Sequence, residues 1–301
     1  MLPLDSHPVV IGLGEILWDF LPTGRQLGGA PANFAYAAAL LGNKATIASR
    51  IGADELGDDI VAKLAATVST ENLQRDSTHP TGTVKVRLDH DGKPNFEIVE
   101  PVAWDFLEWT ENLNILALRA DAVCFGSLAQ RSPQSRETIR KFLRAAHPQS
   151  ARVFDVNLRQ SFYSTEVIHE SLKLANIVKL NHEELPTVAK MFEIQYDNEE
   201  SAAQKLRDAF NLNLVCVTRG DSGSLLVSDS ESDEHPGFKV QVADTVGAGD
   251  AFTAGLVHQY LTNASLQRMN DLANRMGAWV STQSGAMPVP SRNLKDILSK
   301  I

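Results

Sequence analysis

The run Asp244-Thr245-Val246-Gly247-Ala248-Gly249-Asp250 combines groups that could handle a phosphate and a proton. Gly247 and Gly249, with Ala248 between them, fall where an apolar strand, residues 238–242, is expected to give way to a helix. The helical pattern carries Phe252, Leu256 and Tyr260 at four-residue spacing. Small residues at a helix start let an anion approach the backbone, where the unpaired N–H groups of the first turn and the positive end of the helix dipole stabilise its charge. Asp250 follows directly, and its carboxylate could accept the proton of an attacking hydroxyl. The same aspartate could be an ordinary capping residue of that helix. On this run alone the two roles are evenly matched.

The elements that must position these groups read as strands and helices in alternation. Apolar runs at 9–14, 45–50, 122–126, 152–156, 177–181, 214–218 and 224–227 are mostly continuous, as in strands buried on both faces of a parallel sheet. Between them, 31–41 is alanine-rich with proline at its start and Gly42 at its end, and Ser132-Pro133, Thr165-Glu166 and Ser265 open further helices. Repeated β-α units predict a doubly wound sheet with helices on both faces. One stretch breaks the rhythm: 84–88 alternates with period two, His90-Asp91-Gly92-Lys93 makes a turn, and 95–99 resumes the alternation. That is a β-hairpin with one apolar face, too small to stand alone. It reads as a lid over a ligand, or as a surface that pairs with its copy.

At this point the residues resemble a known family. DTVGAGDAFTAG is similar to the C-terminal signature of the ribokinase/phosphofructokinase-B carbohydrate kinases, and GGAPANFAYAAALLG followed by GADELGDD to their N-terminal one. The resemblance runs from Gly12 to Pro290 and implies a ribokinase-like three-layer α/β/α sandwich. Its central sheet is mostly parallel, within one domain spanning 1–301, and a small β lid is formed by roughly 14–30 and 81–102. It implies an ATP-dependent sugar kinase with Asp250 as general base and the backbone of Gly247, Ala248 and Gly249 as anion hole. Asp19, Gly28, Gly29 and Asn33 are then sugar-binding residues, since Asp and Asn offer partners for hydroxyls and paired glycines let the backbone touch the ring. Asn181, Thr218, Gly220, Gly223, Thr245 and Asn274 fall on the nucleotide side. Glu184 suits a Mg²⁺ ion that keeps its own waters. Asp244, with carbonyls near Val246, Val280 and Gly285, corresponds to a site where some relatives bind K⁺, although Val289 stands where ribokinases have serine.

GGAPAN and FDVNLRQSFY, with Arg159, look more like fructokinases than ribokinases, and Phe96 of the hairpin would close over the sugar. Fructose is the first substrate implied; 2-keto-3-deoxygluconate and other sugars of the family are the alternative. Without the resemblance, Asp19 and Asn33 read as solvated surface residues, Glu184 as a helix-start carboxylate and Arg159 as half of an ion pair. A dinucleotide-dependent oxidoreductase is disfavoured, because Gly12-Leu13-Gly14 lacks the third glycine of its fingerprint. A non-catalytic binding relative would have lost the base or the glycines. Formal net charge is −9 with no basic block, which argues against nucleic acid or an anionic membrane as partner. The N-terminal residues show no secretory signal, so the expected location is the cytoplasm, with sugar and ATP as partners and a monomer or a homodimer through the lid. Cys124 and Cys216, each in an apolar run, are expected as buried thiols in strands.

Overall fold

The computed structural model describes residues 7–21, 24–88 and 94–301, with the side chains of 86–88 and 94–96 outside the description. The chain opens with β1 (Val9–Leu13), β2 (Leu17–Leu21), β3 (Gly24–Gly28), α1 (Ala30–Leu40), β4 (Lys44–Gly52), α2 (Glu55–Leu64) and β5 (Leu73–Asp76). The hairpin β6 (Gly82–Leu88) and β7 (Pro94–Ile98) follows. Next come α3 (Glu111–Arg119), β8 (Ala122–Gly126), α4 (Pro133–Ala145), β9 (Ala151–Asp155), α5 (Thr165–Leu174), β10 (Ile177–Asn181) and α6 (Glu184–Met191). The last part holds α7 (Glu199–Phe210), β11 (Leu214–Thr218), β12 (Ser224–Val227), β13 (Ser232–His235), α8 (Ala248–Tyr260), α9 (Leu266–Ser281) and α10 (Leu294–Leu298).

Nine strands form one sheet in the order β13-β12-β11-β10-β9-β8-β1-β4-β5, and only β12, next to the β13 edge, runs against the others. Successive side chains of its strands enter two different cores. Val153, Ile177 and Cys216 join α1, α8 and α9 on one face, while Phe154, Val178 and Val215 join α4, α5 and α7 on the other. That is the three-layer α/β/α arrangement, and it follows from strands that are apolar at both parities. A second sheet has the order β3-β2-β6-β7, with β2 and β6 parallel and the outer pairs antiparallel. Trp18 of β2 pins it to the main body: the ring is buried under Arg25 and Lys63, and its Nε1 donates to the carbonyl of Leu56 in α2 at 3.0 Å.

Both cysteines are free and buried, in β8 and β11, as expected. The expected strand at 238–242 does not form. The segment runs instead along α9, where Phe238 packs at a tilt against His235 with the Arg275 guanidinium over its ring, Val242 stays exposed, and the N–H of Ala243 donates to the carbonyl of Ser281. The expected turn at 90–93 lies outside the described residues. Among the described residues no helix is long and apolar enough to cross a membrane.

Candidate active site

The predicted base sits at the third position of α8. That helix begins at Gly247 with no side-chain cap, so Asp250 does not act as its cap. Its carboxylate turns to α1, where Oδ2 accepts a hydrogen bond of 2.7 Å from Asn33 Nδ2. Two signatures far apart in sequence therefore meet in one contact. Asn33 Oδ1 is buried without a protein partner, so this amide has an acceptor left for a bound group. Burial, and then the negative charge of Asp155, push the Asp250 carboxyl up to about 6, against the pull of Asn33, Lys179 and Arg159.

The start of α8 is an anion cradle by construction. Gly247 has φ 79°, and a β-carbon there would lie 2.5 Å from Ala286 Cβ, so only glycine brings the chain into the helix at this point. The N–H of Ala248 closes a turn onto the carbonyl of Thr245 at 3.2 Å. The donors left at the first turn therefore include Gly249 and Asp250 rather than all three small residues equally. Asp244 knits this turn to the loop after α9: Oδ1 accepts from the N–H of Val246 and Oδ2 from that of Gly285.

The residues expected to bind sugar gather around β2, β3 and α1. Asp19 lies across the hairpin over the bare face of Gly28, where a β-carbon would meet its Oδ2 at 2.3 Å. Gly29, at φ 106°, lets the chain turn into α1 against the backbone of Glu15 and Ile16. Burial raises the Asp19 carboxyl to about 6, opposed by the charge of Arg159. Arg159 is exposed, donates to its neighbour's carbonyl and pulls on Asp19, Glu15 and Asp250 alike. The side chain of Phe96, expected over the sugar, lies outside the described residues.

Among the residues expected on the nucleotide side, Glu184 bridges two loops. Oε1 accepts from the N–H of Leu158 and Oε2 from that of Asn181, and burial raises its carboxyl. Asn181 Oδ1 caps the same turn by accepting from the N–H groups of Glu183 and Glu184. The carbonyl of Thr218 takes the N–H of His182, and Gly220 and Gly223 shape the turn after β11 with positive φ. Asn274 is set back from this edge. It is buried and its amide donates to Ser224 Oγ and Asn270, so that amide serves the interior instead of a ligand.

The ionic expectations divide. Among the described residues no group of three His, Cys, Asp or Glu side chains could form a metal cage. Glu184 still fits a hydrated Mg²⁺, because each oxygen holds only one backbone N–H and keeps a lone pair for an ion's water. The K⁺ set fits poorly. The carbonyl of Val280 already takes the N–H of Gln283 just past α9, and Val289, 82% exposed, has no side-chain oxygen to offer, although Asp244, like Glu184, holds only one N–H at each oxygen.

The pfkB family carbohydrate kinase profile matches residues 23–292. The chain belongs to that family. A fructokinase of Vibrio alginolyticus is 34% identical to this pfkB kinase, with 91% of this chain and 93% of that protein covered. The crystal structure of a Xylella fastidiosa fructokinase with bound ATP superposes with TM-score 0.82 at 26% identity, covering 97% of this chain and 98% of that one. A Vibrio cholerae O395 fructokinase, solved with fructose, ADP and calcium ion, gives TM-score 0.80 at 28% identity over 94% and 96%. A pfkB kinase is a carbohydrate kinase, and its ribokinase-like fold agrees with the sheet described above.

Three charged residues of this pfkB site were missed from the sequence. Glu15 is 2% exposed with one oxygen unpartnered, and burial pushes it up to about 7. Asp155 and Lys179 form a buried ion pair next to Gly249. The signal was present: a charged residue inside each of the apolar runs GEIL, VFDV and IVKLN. A buried charge in an apolar strand calls for a partner and a reason.

Proposed function

We propose that this kinase transfers the γ-phosphoryl group of ATP to a hydroxyl of fructose. The sugar oxygen attacks the γ-phosphorus, Asp250 takes the hydroxyl proton, the bond from the γ-phosphorus to the bridging oxygen breaks, and ADP leaves. The observation that carries this is the Asp250 carboxylate, which caps nothing, is held by Asn33, and lies at the mouth of the α8 cradle. Asp19, Gly28, Gly29, Asn33 and Arg159 orient the sugar. The free N–H groups at the first turn of α8, those of Gly249 and Asp250 among them, hold the charge that spreads over the moving phosphoryl oxygens, and Gly247 sets their aim. Mg²⁺, when bound through Glu184 and water, would neutralise phosphate charge. The four-stranded sheet acts as a lid that keeps water from intercepting the phosphoryl group. The Vibrio cholerae fructokinase solved with fructose and ADP supports the choice of sugar.

A panel of ketoses, aldoses and sugar acids with ATP and Mg²⁺ is the test. Fructose is expected to give the highest kcat/KM. Preferential phosphorylation of 2-keto-3-deoxygluconate would overturn fructose and leave the reaction class standing. The pH profile is a second expectation. Asp250 works as a carboxylate and its pKa is raised to about 6, so kcat/KM should hold at higher pH and fall as pH drops through about 6. A rate that stays flat down to pH 4.5 or so, near the ordinary carboxylate range, contradicts Asp250 as base.

A further inference from the structure

The site holds a charged pair that the mechanism above leaves unused. Lys179 and Asp155 stand directly opposite each other in the register of β10 and β9. Lys179 Nζ lies 3.1 and 3.2 Å from the two carboxylate oxygens, and both residues are buried. They share the parity of Ile177 and Val153, whose side chains enter the core under α1, α8 and α9, so alternation calls for apolar residues here. A buried ion pair is a poor device for stability, because desolvating two charges offsets their attraction and well-packed apolar residues serve as well or better. Its position is informative instead. A β-carbon on Gly249 would sit 3.2 Å from Lys179 Nζ, so the ammonium end of the pair is the end that meets the first turn of α8.

We propose that Lys179, held in place by Asp155, is a positioning charge of the phosphoryl-transfer site. Its ammonium backs the Gly249 turn of α8 and adds fixed positive charge behind the N–H groups that receive the phosphoryl oxygens. The inference rests on placing the transferred group at the start of α8. A preorganised charge in a dry site costs nothing to reorient as the transition state forms, which is where such charges act most strongly. Asp155 keeps the lysine in place and protonated. Although burial works against the charge, Asp155, Glu184 and Asp250 hold the ammonium above the usual lysine range. The groups facing Asp250 are Asp155 from β9, Lys179 from β10, Arg159 from the loop after β9, Glu15 from the loop after β1 and the neutral Asn33 from α1.

The test compares D155N, K179M and the uncharged double variant D155N/K179M, with thermal melts to confirm folding. If the pair only packs, the double variant removes an unpaired charge and restores activity. If Lys179 acts on the phosphoryl group, the double variant loses about 10- to 100-fold in kcat with the sugar KM within about threefold of wild type. A double variant within about threefold of wild-type kcat overturns the proposal. The singles add a readout that packing would not move. D155N leaves Lys179 unopposed and should shift the acidic limb of kcat/KM to lower pH, whereas K179M leaves Asp155 unopposed and should shift it to higher pH. Shifts in one direction, or none, overturn the proposal. If K179M fails to fold, D155N and the double variant carry the test. D250A is measured alongside: wild-type turnover in that variant means the phosphoryl group has been misplaced, and the proposal falls with that placement rather than through the pair.

Discussion

Asp250→Ala is expected to lower kcat by about 10²- to 10⁴-fold, the range for removing a general base, while titration calorimetry finds sugar affinity within a few-fold of wild type. The structure separates this from a folding defect. The carboxylate is not the cap of α8, and it is held by a hydrogen bond from Asn33. Its pKa is raised in the fold to about 6, so the stability linked to it is present at low pH and lost as pH rises through that value. At pH 8 the ionised group is a liability to folding, and Asp250→Asn should hold or raise Tm while abolishing most turnover. A variant that melts earlier and keeps its kcat would show a structural aspartate. Asn33 sharpens the expectation, because in Asp250→Asn an amide still stands against it and only the basicity is gone.

Gly247→Ala is expected to cost about 10²- to 10³-fold in kcat/KM, comparable to losing one oxyanion-hole donor. Two strains combine at that position. The backbone sits at φ 79°, where an alanine is held at a cost of about 1–3 kcal/mol. The new methyl would lie 2.5 Å from Ala286 Cβ and 2.7 Å from its Cα. Relief requires the turn from Asp244 to Gly249 to move, and with it the two hydrogen bonds of Asp244, one from Val246 within the turn and one from Gly285 that ties the turn to the loop after α9. The N–H groups at the first turn of α8 would then lose their aim at the phosphoryl oxygens. Steady-state kinetics with MgATP varied at saturating sugar, with a thermal melt, checks this. A loss under about threefold in a folded variant would mean that the cradle tolerates displacement and does not hold the phosphoryl group.

Much of this architecture is legible in the residues. The strands at 122–126, 177–181, 214–218 and 224–227 were placed at their observed ends, because continuous apolar runs bounded by Gly, Asn or Thr leave little choice. The run at 238–242 misled because alternation says only that a segment could pair. Whether an edge is free to receive it is a tertiary matter, and here the segment lies along α9. The signatures point to where a site could lie, yet that Asn33 holds Asp250 is not legible, since no spacing in sequence reports that α1 and α8 lie side by side. Asn274 failed for a related reason: an asparagine on a helix is equally suited to a ligand or to the Ser224–Asn270 network, and only packing decides. Lys179 and Asp155 were overlooked because a lone charge in a strand reads as noise until its opposite number is aligned with it across two β-strands.

The pairing of β2 with β6 has a consequence for the order of assembly. It aligns Leu17 with Gly82, so α1, β4, α2 and β5 must all be threaded between the two strands before they can meet. Closing so long a span pays its entropy before any contact returns it, whereas β2–β3 and β6–β7 are local hairpins that form on their own timescale. The small sheet is therefore expected to be joined late in folding. Its central parallel pair should also be among the first sheet contacts to open from the native state, with amide protons at Leu17–Phe20 and Gly82–Lys85 exchanging faster than those of β1 and β8. Sugar bound against Asp19 and Gly28 would staple the two segments together and slow that exchange, making deuterium uptake in this sheet a direct gauge of occupancy.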